Sequence, residues 1–193
     1  MSGILLSRRD IIAGLTDLIR ELRADGRPAH LQIVGGAAIA LMVNADRQAT
    51  RDIDGPFTPA DRVLAAAARI AAARGWPSDW INNAAGQFVP TGYGRPAEWR
   101  TIHDDGIVQV DVASAEMLLA MKLHAAQRRH LRDADDVGVL LRQLRVRSVP
   151  EAETIYGGFY PGDEFSPRLF TLVQALIDSA EDAPSPPEPP RLE

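Results

Sequence analysis

The chain has 193 residues and no cysteine, with 21 lysines and arginines against 26 aspartates and glutamates, which gives a net charge of −5. The lack of cysteine excludes a disulfide framework, thiolate zinc sites and cysteine catalysis, and it fits the reducing cytoplasm in which we expect the protein to work. The acidic balance favours no general affinity for nucleic acid. No apolar run reaches the roughly 18 residues of a membrane span, so we expect no membrane partner.

The first part of the chain predicts helices alternating with strands. Hydrophobic spacing, capping residues and turn signals predict, in order, a helix over 8–24, a strand over 30–34, a helix over 37–43, a strand over 51–55 and a helix from Thr58-Pro59 to Gly75. Residues 76–97 are expected to be irregular, with one strand. Strands over 99–103 and 107–113 are expected to flank the hairpin signal Asp104-Asp105-Gly106.

The last part of the chain predicts helices. Ser114 is a cap for a helix to about Leu131, a second helix covers about 133–144, and Ser166-Pro167 begins a last helix to about 179; Pro150 and Gly157-Gly158 predict a loop. We therefore expect an α/β (α+β) protein. Its predicted parts are an α/β core over 1–113, a helical part over 114–182 packed on the core, and a disordered proline-rich tail over 183–193.

Two glycines and three aspartates form the first candidate site. Gly35 and Gly36 follow a strand and open a helix, where backbone amides can approach phosphate groups. Asp52 and Asp54 project from one face of a strand and repel each other unless a cation lies between them. Asp111 lies in an apolar strand, where a carboxylate is unfavourable unless it is paired, metal-bound or on a wet edge. Because carboxylates suit Mg²⁺ or Mn²⁺, we predict a metal site for phosphoryl or nucleotidyl transfer on Asp52, Asp54 and Asp111.

A second candidate site lies in the helical part. Lys122 and Arg129 are seven residues apart, so they share one helix face, and together they suit phosphate oxygens. Asp133 is placed to cap the next helix, and Asp136 to orient Lys122 or Arg129 through a salt bridge. The alternative interpretation is a surface helix pair with ordinary ion pairs.

The same helix pair carries a local excess of cations. This excess suits an RNA backbone, although a solvated helix face has the same composition. His124 is spaced to pair with Arg128 at i+4, and we expect both to be solvated. The cations are Lys122, Arg128, Arg129, Arg132, Arg142, Arg145 and Arg147.

The front motifs resemble the nucleotidyltransferase superfamily with a polymerase-β-like core. In that superfamily a Gly-Gly turn is followed by Asp-x-Asp on the next strand and by a third carboxylate on a later strand, which here are Gly35-Gly36, Asp52-x-Asp54 and Asp111. An arginine usually precedes the Asp-x-Asp strand, and Arg47 and Arg51 are both candidates for it.

The back-half motifs are similar to the AbiEii-type toxin family and its MenT-like relatives. That family has a lysine, an arginine two turns later and an aspartate pair opening the next helix, which here are Lys122, Arg129 and Asp133-x-x-Asp136. The resemblance covers about residues 30–144.

The resemblance implies an enzyme that moves a nucleotide from an NTP to an acceptor hydroxyl and releases pyrophosphate, with Mg²⁺ or Mn²⁺ as cofactor. It further implies a toxin that modifies tRNA 3′ ends and has a cognate antitoxin protein. The expected catalytic residues are Asp52, Asp54, Lys122 and Asp136. The expected substrate-binding residues are Gly35, Gly36, Thr50, Lys122, Arg129 and Asp133.

Two other functions remain open. The same core can use a protein or a small molecule such as an aminoglycoside as acceptor, which a pI of about 5.4 favours. A non-catalytic nucleotide-binding module is the other alternative, and the intact carboxylates argue against it.

Overall fold

The structure is a computed structural model that describes residues 4–128, 134–179 and 182–193. The chain divides into two compact units. Unit 1 comprises Met1–Gln87, Trp99–Val112 and Pro187–Glu193, and unit 2 comprises Phe88–Glu98 and Ala113–Pro186. Within the described residues, no helix combines the length and apolar character needed to cross a bilayer.

In the part of unit 1 that the structure describes there are three α-helices, a 3₁₀ helix and the strands of two small sheets. Its first helix begins with a capping box, in which the side chains of Ser7 and Asp10 each accept the other's backbone N–H. Its third helix ends at Gly75, whose φ of 67° is the left-handed conformation that glycine adopts most readily. The elements are α1 (Arg8–Arg23), β1 (Ala29–Ile33), α2 (Gly35–Met42), β2 (Ile53–Asp54), β3 (Phe57–Thr58), α3 (Ala60–Arg74), β4 (Ile81–Asn82), the 3₁₀ helix Ala84–Phe88, β5 (Trp99–Asp104) and β6 (Val108–Ala113).

The larger sheet is mixed, with the strand order β3-β1-β6-β5. β1 is antiparallel to β3 and parallel to β6, and Gln32 lies beside Asp111 in the parallel pair. The smaller sheet is the parallel pair β2-β4. A bridge between Val34 and Asp54 continues the antiparallel register of β1 and β3, so Asp54 lies on the same side of the sheet as Gln32.

The two faces of the β1–β6 pair differ in polarity. One face is buried and aliphatic, with Leu31, Ile33, Val108, Val110 and Val112 all fully buried. The opposite side, here called the polar face, carries His30, Gln32, Gln109 and Asp111. Strand alternation sorts these residues, because successive side chains point to opposite faces.

Unit 2 is helical. Its helices are α4 (Ala115–Arg128), α5 (Ala134–Gln143), α6 (Val149–Phe159) and α7 (Pro167–Asp178). The loop predicted around Pro150 and Gly157-Gly158 is wrong, because both lie within α6. Ser148 caps this helix by accepting the N–H of Glu151, and Pro150 occupies its first turn, where its missing N–H has no cost.

The coarse fold prediction is confirmed: the described residues form a mixed α/β protein with seven α-helices and a small mixed sheet. The division between units at Val112/Ala113 lies beside the predicted boundary at 113/114, but Phe88–Glu98 belongs to unit 2. Pro187–Glu193, expected to be disordered, belongs to unit 1. There Leu192 is 2% exposed and the Glu188 carbonyl accepts a hydrogen bond from Arg8 Nη2, so burial of an apolar side chain holds this segment.

Candidate functional site

The Gly35-Gly36 turn lies directly beside Asp54. The N–H of Val34 donates to the Asp54 carbonyl oxygen over 2.9 Å, which fixes the end of β1 against β2. Gly35 then begins α2 with φ of +69°, a conformation that L side chains rarely adopt. A Cβ at Gly35 would lie 3.6 Å from Asp54 Oδ2, so the bare backbone of this turn and a carboxylate are neighbours.

Arg47 and Thr50 lie against the second glycine. A Cβ at Gly36 would lie 2.8 Å from Arg47 Nη2 and 2.9 Å from Thr50 Oγ1, so only glycine accommodates them in their present positions. Arg47 also donates through Nη1 to the Gln48 carbonyl over 2.8 Å. Arg51, by contrast, is exposed. Of the two candidate arginines, Arg47 is therefore the one that lies at the turn.

Asp52 and Asp54 are held from β4 and from the 3₁₀ helix that follows it. Asn82 Nδ2 donates to Asp52 Oδ2 over 2.9 Å, and the N–H of Ala85 donates to Asp54 Oδ1 over 3.3 Å. Asn82 is itself fixed, because its Oδ1 accepts the N–H of Ala84 over 2.8 Å. The segment predicted to be irregular thus positions both carboxylates.

Asp111 is buried and already bound by neighbours. It is 4% exposed, and its carboxylate accepts hydrogen bonds from His30 Nε2 over 2.6 Å and from Gln109 Nε2 over 3.0 and 3.1 Å. Burial acts to raise the pKa of Asp111, but hydrogen bonds from Gln109, Thr101 and His30 outweigh it, so that the pKa lies below its ordinary value. Asp111 is therefore a charged acceptor on the polar face.

The carboxylates of Asp52 and Asp54 suit a divalent cation by chemistry, because both are hard oxygen donors, one directly before β2 and one at its end. Asp52 keeps Oδ1 without a hydrogen bond from any described residue. Asp111 already accepts hydrogen bonds from His30 and Gln109 on both carboxylate oxygens, and these would share it with a cation. In residues 4–128, 134–179 and 182–193, no three acidic, histidine or cysteine side chains form a group that could hold a metal ion. The three-carboxylate centre thus stays a prediction.

In unit 2, the predicted salt bridge between Lys122 and Asp136 is present. Lys122 Nζ lies 2.9 Å from Asp136 Oδ2, and the two side chains are 13% and 9% exposed. The pair links α4 to α5. Arg129 and Asp133 lie outside the described residues, and binding of a triphosphate by Lys122 stays a prediction.

The expectation that His124 is solvated is wrong. It is 8% exposed, its Nδ1 lies 3.0 Å from the Tyr156 hydroxyl, and its ring stacks on Tyr160 with centroids 4.4 Å apart. The cause is that α4 packs on α6, which covers this face of the helix. Burial, and then the charge of Arg128, lower the pKa of His124, against the opposing effect of Asp163. Arg128 is exposed, as expected.

Sequence reasoning missed two residues of unit 1 that contact predicted site residues. Asn82 supports Asp52, and His30 supports Asp111. Asn82 stands where two turn-forming asparagines end a short strand, which is a weak signal. His30 has a readable signal, because its alternation with Gln32 marks a strand with one polar side.

Comparisons with models of known families, with curated proteins and with solved structures found no match to this chain.

Proposed function

We propose that the protein is a nucleotidyltransferase, which moves a nucleotide from an NTP to an acceptor hydroxyl and releases pyrophosphate. One observation carries the proposal: the side-chain-free Gly35-Gly36 turn lies against the carboxylate of Asp54 and the guanidinium of Arg47. A triphosphate needs close backbone approach, positive charge and carboxylates that hold its accompanying cation. These groups come together within unit 1.

In this proposal each group of the turn has a distinct task. The backbone of Gly35 and Gly36 lets phosphate oxygens approach, and Arg47 and Thr50 donate hydrogen bonds to them. Asp52 and Asp54 would hold Mg²⁺, which neutralises charge on the triphosphate as the leaving pyrophosphate develops. Asn82 positions the carboxylate of Asp52.

The acceptor in the proposal is the 3′ end of tRNA, and the biological role is that of a toxin with a cognate antitoxin, as the resemblance to AbiEii-type proteins implies. With a net charge of −5, the chain needs a local basic surface to bind RNA. Arg128, Arg145 and Arg147 are exposed in unit 2 and supply such charges. Arg142 is half-buried, and Arg132 lies outside the described residues.

The test is incubation with each α-labelled NTP, Mg²⁺ and purified tRNA, with total protein and kanamycin as alternative acceptors. We expect label on tRNA with the wild type. Asp52→Asn should lose at least about a hundredfold in rate, because it removes the charge that holds the cation while keeping the side chain's size. The matched control Asp61→Asn removes an exposed carboxylate on α3 and should keep full activity.

Three results separate the alternatives. Label on protein or on kanamycin, in place of tRNA, keeps the reaction and changes the acceptor. Binding of NTP without transfer to any acceptor indicates a nucleotide-binding module. An Asp52→Asn variant that is folded and fully active contradicts the role of this carboxylate.

A further inference from the structure

The polar face is unusual for a parallel strand pair. Parallel strands are normally covered by apolar side chains on both faces. In the β1–β6 pair only one face follows this rule, whereas His30, Gln32 and Gln109 on the other are half-buried rather than buried. The side chains of the polar face are therefore accessible to a ligand.

Asp111 binds one ring nitrogen of His30, Nε2, and the other ring nitrogen, Nδ1, remains available to a ligand. Nε2 lies 2.6 Å from the Asp111 carboxylate, which can only accept a hydrogen bond, so Nε2 is the donor. In the tautomer that has its proton on Nε2, Nδ1 has the lone pair and is an acceptor. Nδ1 makes no hydrogen bond with any described residue, and the His30 side chain is 36% exposed. A fixed imidazole therefore offers an acceptor to solvent.

A cavity of about 250 Å³ lies beside this imidazole, at the start of β1 and next to the β5–β6 turn. Its polar lining consists of His30, Thr58, Asp104 and Gln109. Because the Gln109 amide nitrogen donates to Asp111, its carbonyl oxygen is the atom left for a ligand. The described residues that line the cavity include no lysine or arginine.

The chemistry of this lining selects the ligand. Acceptors predominate, so a ligand must donate hydrogen bonds, and an anionic group finds no lysine or arginine among the lining residues that the structure describes. The volume lies below the roughly 300–1,000 Å³ of sites for drug-sized molecules, so it suits one ring rather than a larger molecule. A sugar ring with free hydroxyls meets both conditions.

We propose that this cavity binds a sugar unit of the acceptor through its hydroxyl groups, with His30 as the positioned hydrogen-bond acceptor. The proposal rests on the proposed function, whose acceptor it specifies. His30 precedes Val34, at the Gly35-Gly36 turn, by four strand residues, or about 13 Å. The sugar that this cavity binds is thus a different unit from the sugar that reacts, and the acceptor has at least two sugar units. A ribo-oligonucleotide has at least two such sugar units, and so does an amino-sugar oligosaccharide such as kanamycin.

The experiment titrates the protein, without NTP, with three probes: the ribotrinucleotide CCA, its 2′-deoxy counterpart and kanamycin. Binding is followed by the imidazole C2–H resonance of His30 in NMR spectra, assigned by its loss in His30→Gln. We expect saturable movement of this resonance with CCA and about tenfold weaker binding of the deoxy probe. Losing the hydrogen bond from one hydroxyl has an effect of that size, about 1.4 kcal/mol. If kanamycin moves the His30 resonance and CCA does not, the hydroxyl groups that the cavity binds belong to an amino sugar and not to a ribonucleotide.

The variants locate the site. His30→Gln, followed by calorimetry, should weaken binding of the preferred probe about tenfold, and Asp111→Asn should weaken it to a similar extent because the ring loses its fixed orientation. Gln32→Ala, on the same face but outside the cavity lining, should bind as the wild type does.

Two results overturn the proposal. In the first, no probe moves the His30 resonance of the wild type, at probe concentrations from 10 times that of the protein up to about 10 mM. In the second, His30→Gln binds the preferred probe as tightly as Gln32→Ala does. Because NTP is absent, a negative result leaves the transfer assay standing. Equally, if a probe binds at the cavity but no labelled nucleotide is transferred in the NTP assay, the proposed reaction is contradicted and the sugar site is supported.

Discussion

Replacing Gly36 with alanine should weaken the binding of NTP while leaving the free energy of unfolding almost unchanged. The new methyl carbon would lie 2.8 Å from Arg47 Nη2 and 2.9 Å from Thr50 Oγ1, and both atoms are at side-chain ends that can rotate away. The lost side-chain contacts are worth about 1 kcal/mol, and the gain of alanine over glycine within a helix is about 0.5–1 kcal/mol. We therefore expect the free energy of unfolding to change by less than about 1 kcal/mol.

Function should respond much more strongly, because Arg47 and Thr50 would leave the turn. The loss of a charge-assisted hydrogen bond corresponds to about 1.5–3 kcal/mol, so the affinity for NTP should fall at least about tenfold in Gly36→Ala. Titration calorimetry with NTP and Mg²⁺ measures this loss. Urea denaturation of the same samples measures the free energy of unfolding.

Two other glycines provide matched controls of opposite kind. Gly35→Ala moves no side chain, but its φ of +69° should lower the free energy of unfolding by about 1–2 kcal/mol. Gly55→Ala would place its methyl group well inside contact with the Gln32 backbone carbonyl, so it should prevent folding of unit 1. The reasoning is refuted if Gly36→Ala binds NTP normally, or if it loses as much stability as Gly55→Ala.

Three further predictions concern stability. Lys122→Met should lower the free energy of unfolding by about 3 kcal/mol, because it removes the ammonium that lies 2.9 Å from the buried Asp136 carboxylate. Lys122→Met/Asp136→Leu should recover part of that loss in urea denaturation. The pKa of His124 is lowered, so the stability that this residue contributes is fully present above about pH 6.5 and is lost as the pH falls below that value. His124→Gln should therefore flatten the pH dependence of the urea midpoint between about pH 7 and 5. An unchanged slope would contradict the assignment. Leu192→Ala should lower the free energy of unfolding by about 2 kcal/mol if the last segment is held as described, whereas an unchanged thermal midpoint would indicate a free tail.

Local signals made most elements predictable. The Asp104-Asp105-Gly106 turn predicts the hairpin because it supplies the residues that a tight turn needs, and the structure confirms strands on both sides of it. The sequence does not predict α6, because Pro150 and Gly157-Gly158 are residues that usually end helices. In the structure the proline lies in the first turn, where it is tolerated, and the two glycines lie near the helix end.

The site was only partly predictable, because its contacts join distant parts of the chain. The ion pair of Lys122 with Asp136 follows from helix periodicity and is confirmed. One partner of Asp111, His30, is 81 residues away, and the sheet register that brings them together leaves no local trace in the sequence. For the same reason the sequence does not predict the contact between His30 and Asp111, and a metal at Asp111 stays a prediction.

The interleaved order of the two units has a practical consequence for expressing them separately. Unit 1 receives β6 only after the chain has passed through Phe88–Glu98, so a fragment that stops at residue 87 lacks the strand that pairs with one whole side of β1. Five residues, Ala29–Ile33, would then present unpaired amides and carbonyls beside an apolar surface, the arrangement that promotes association between copies. A truncation at residue 87 should therefore yield aggregates. A soluble form of unit 1 should instead replace Phe88–Glu98 with a short linker and retain residues 99–112.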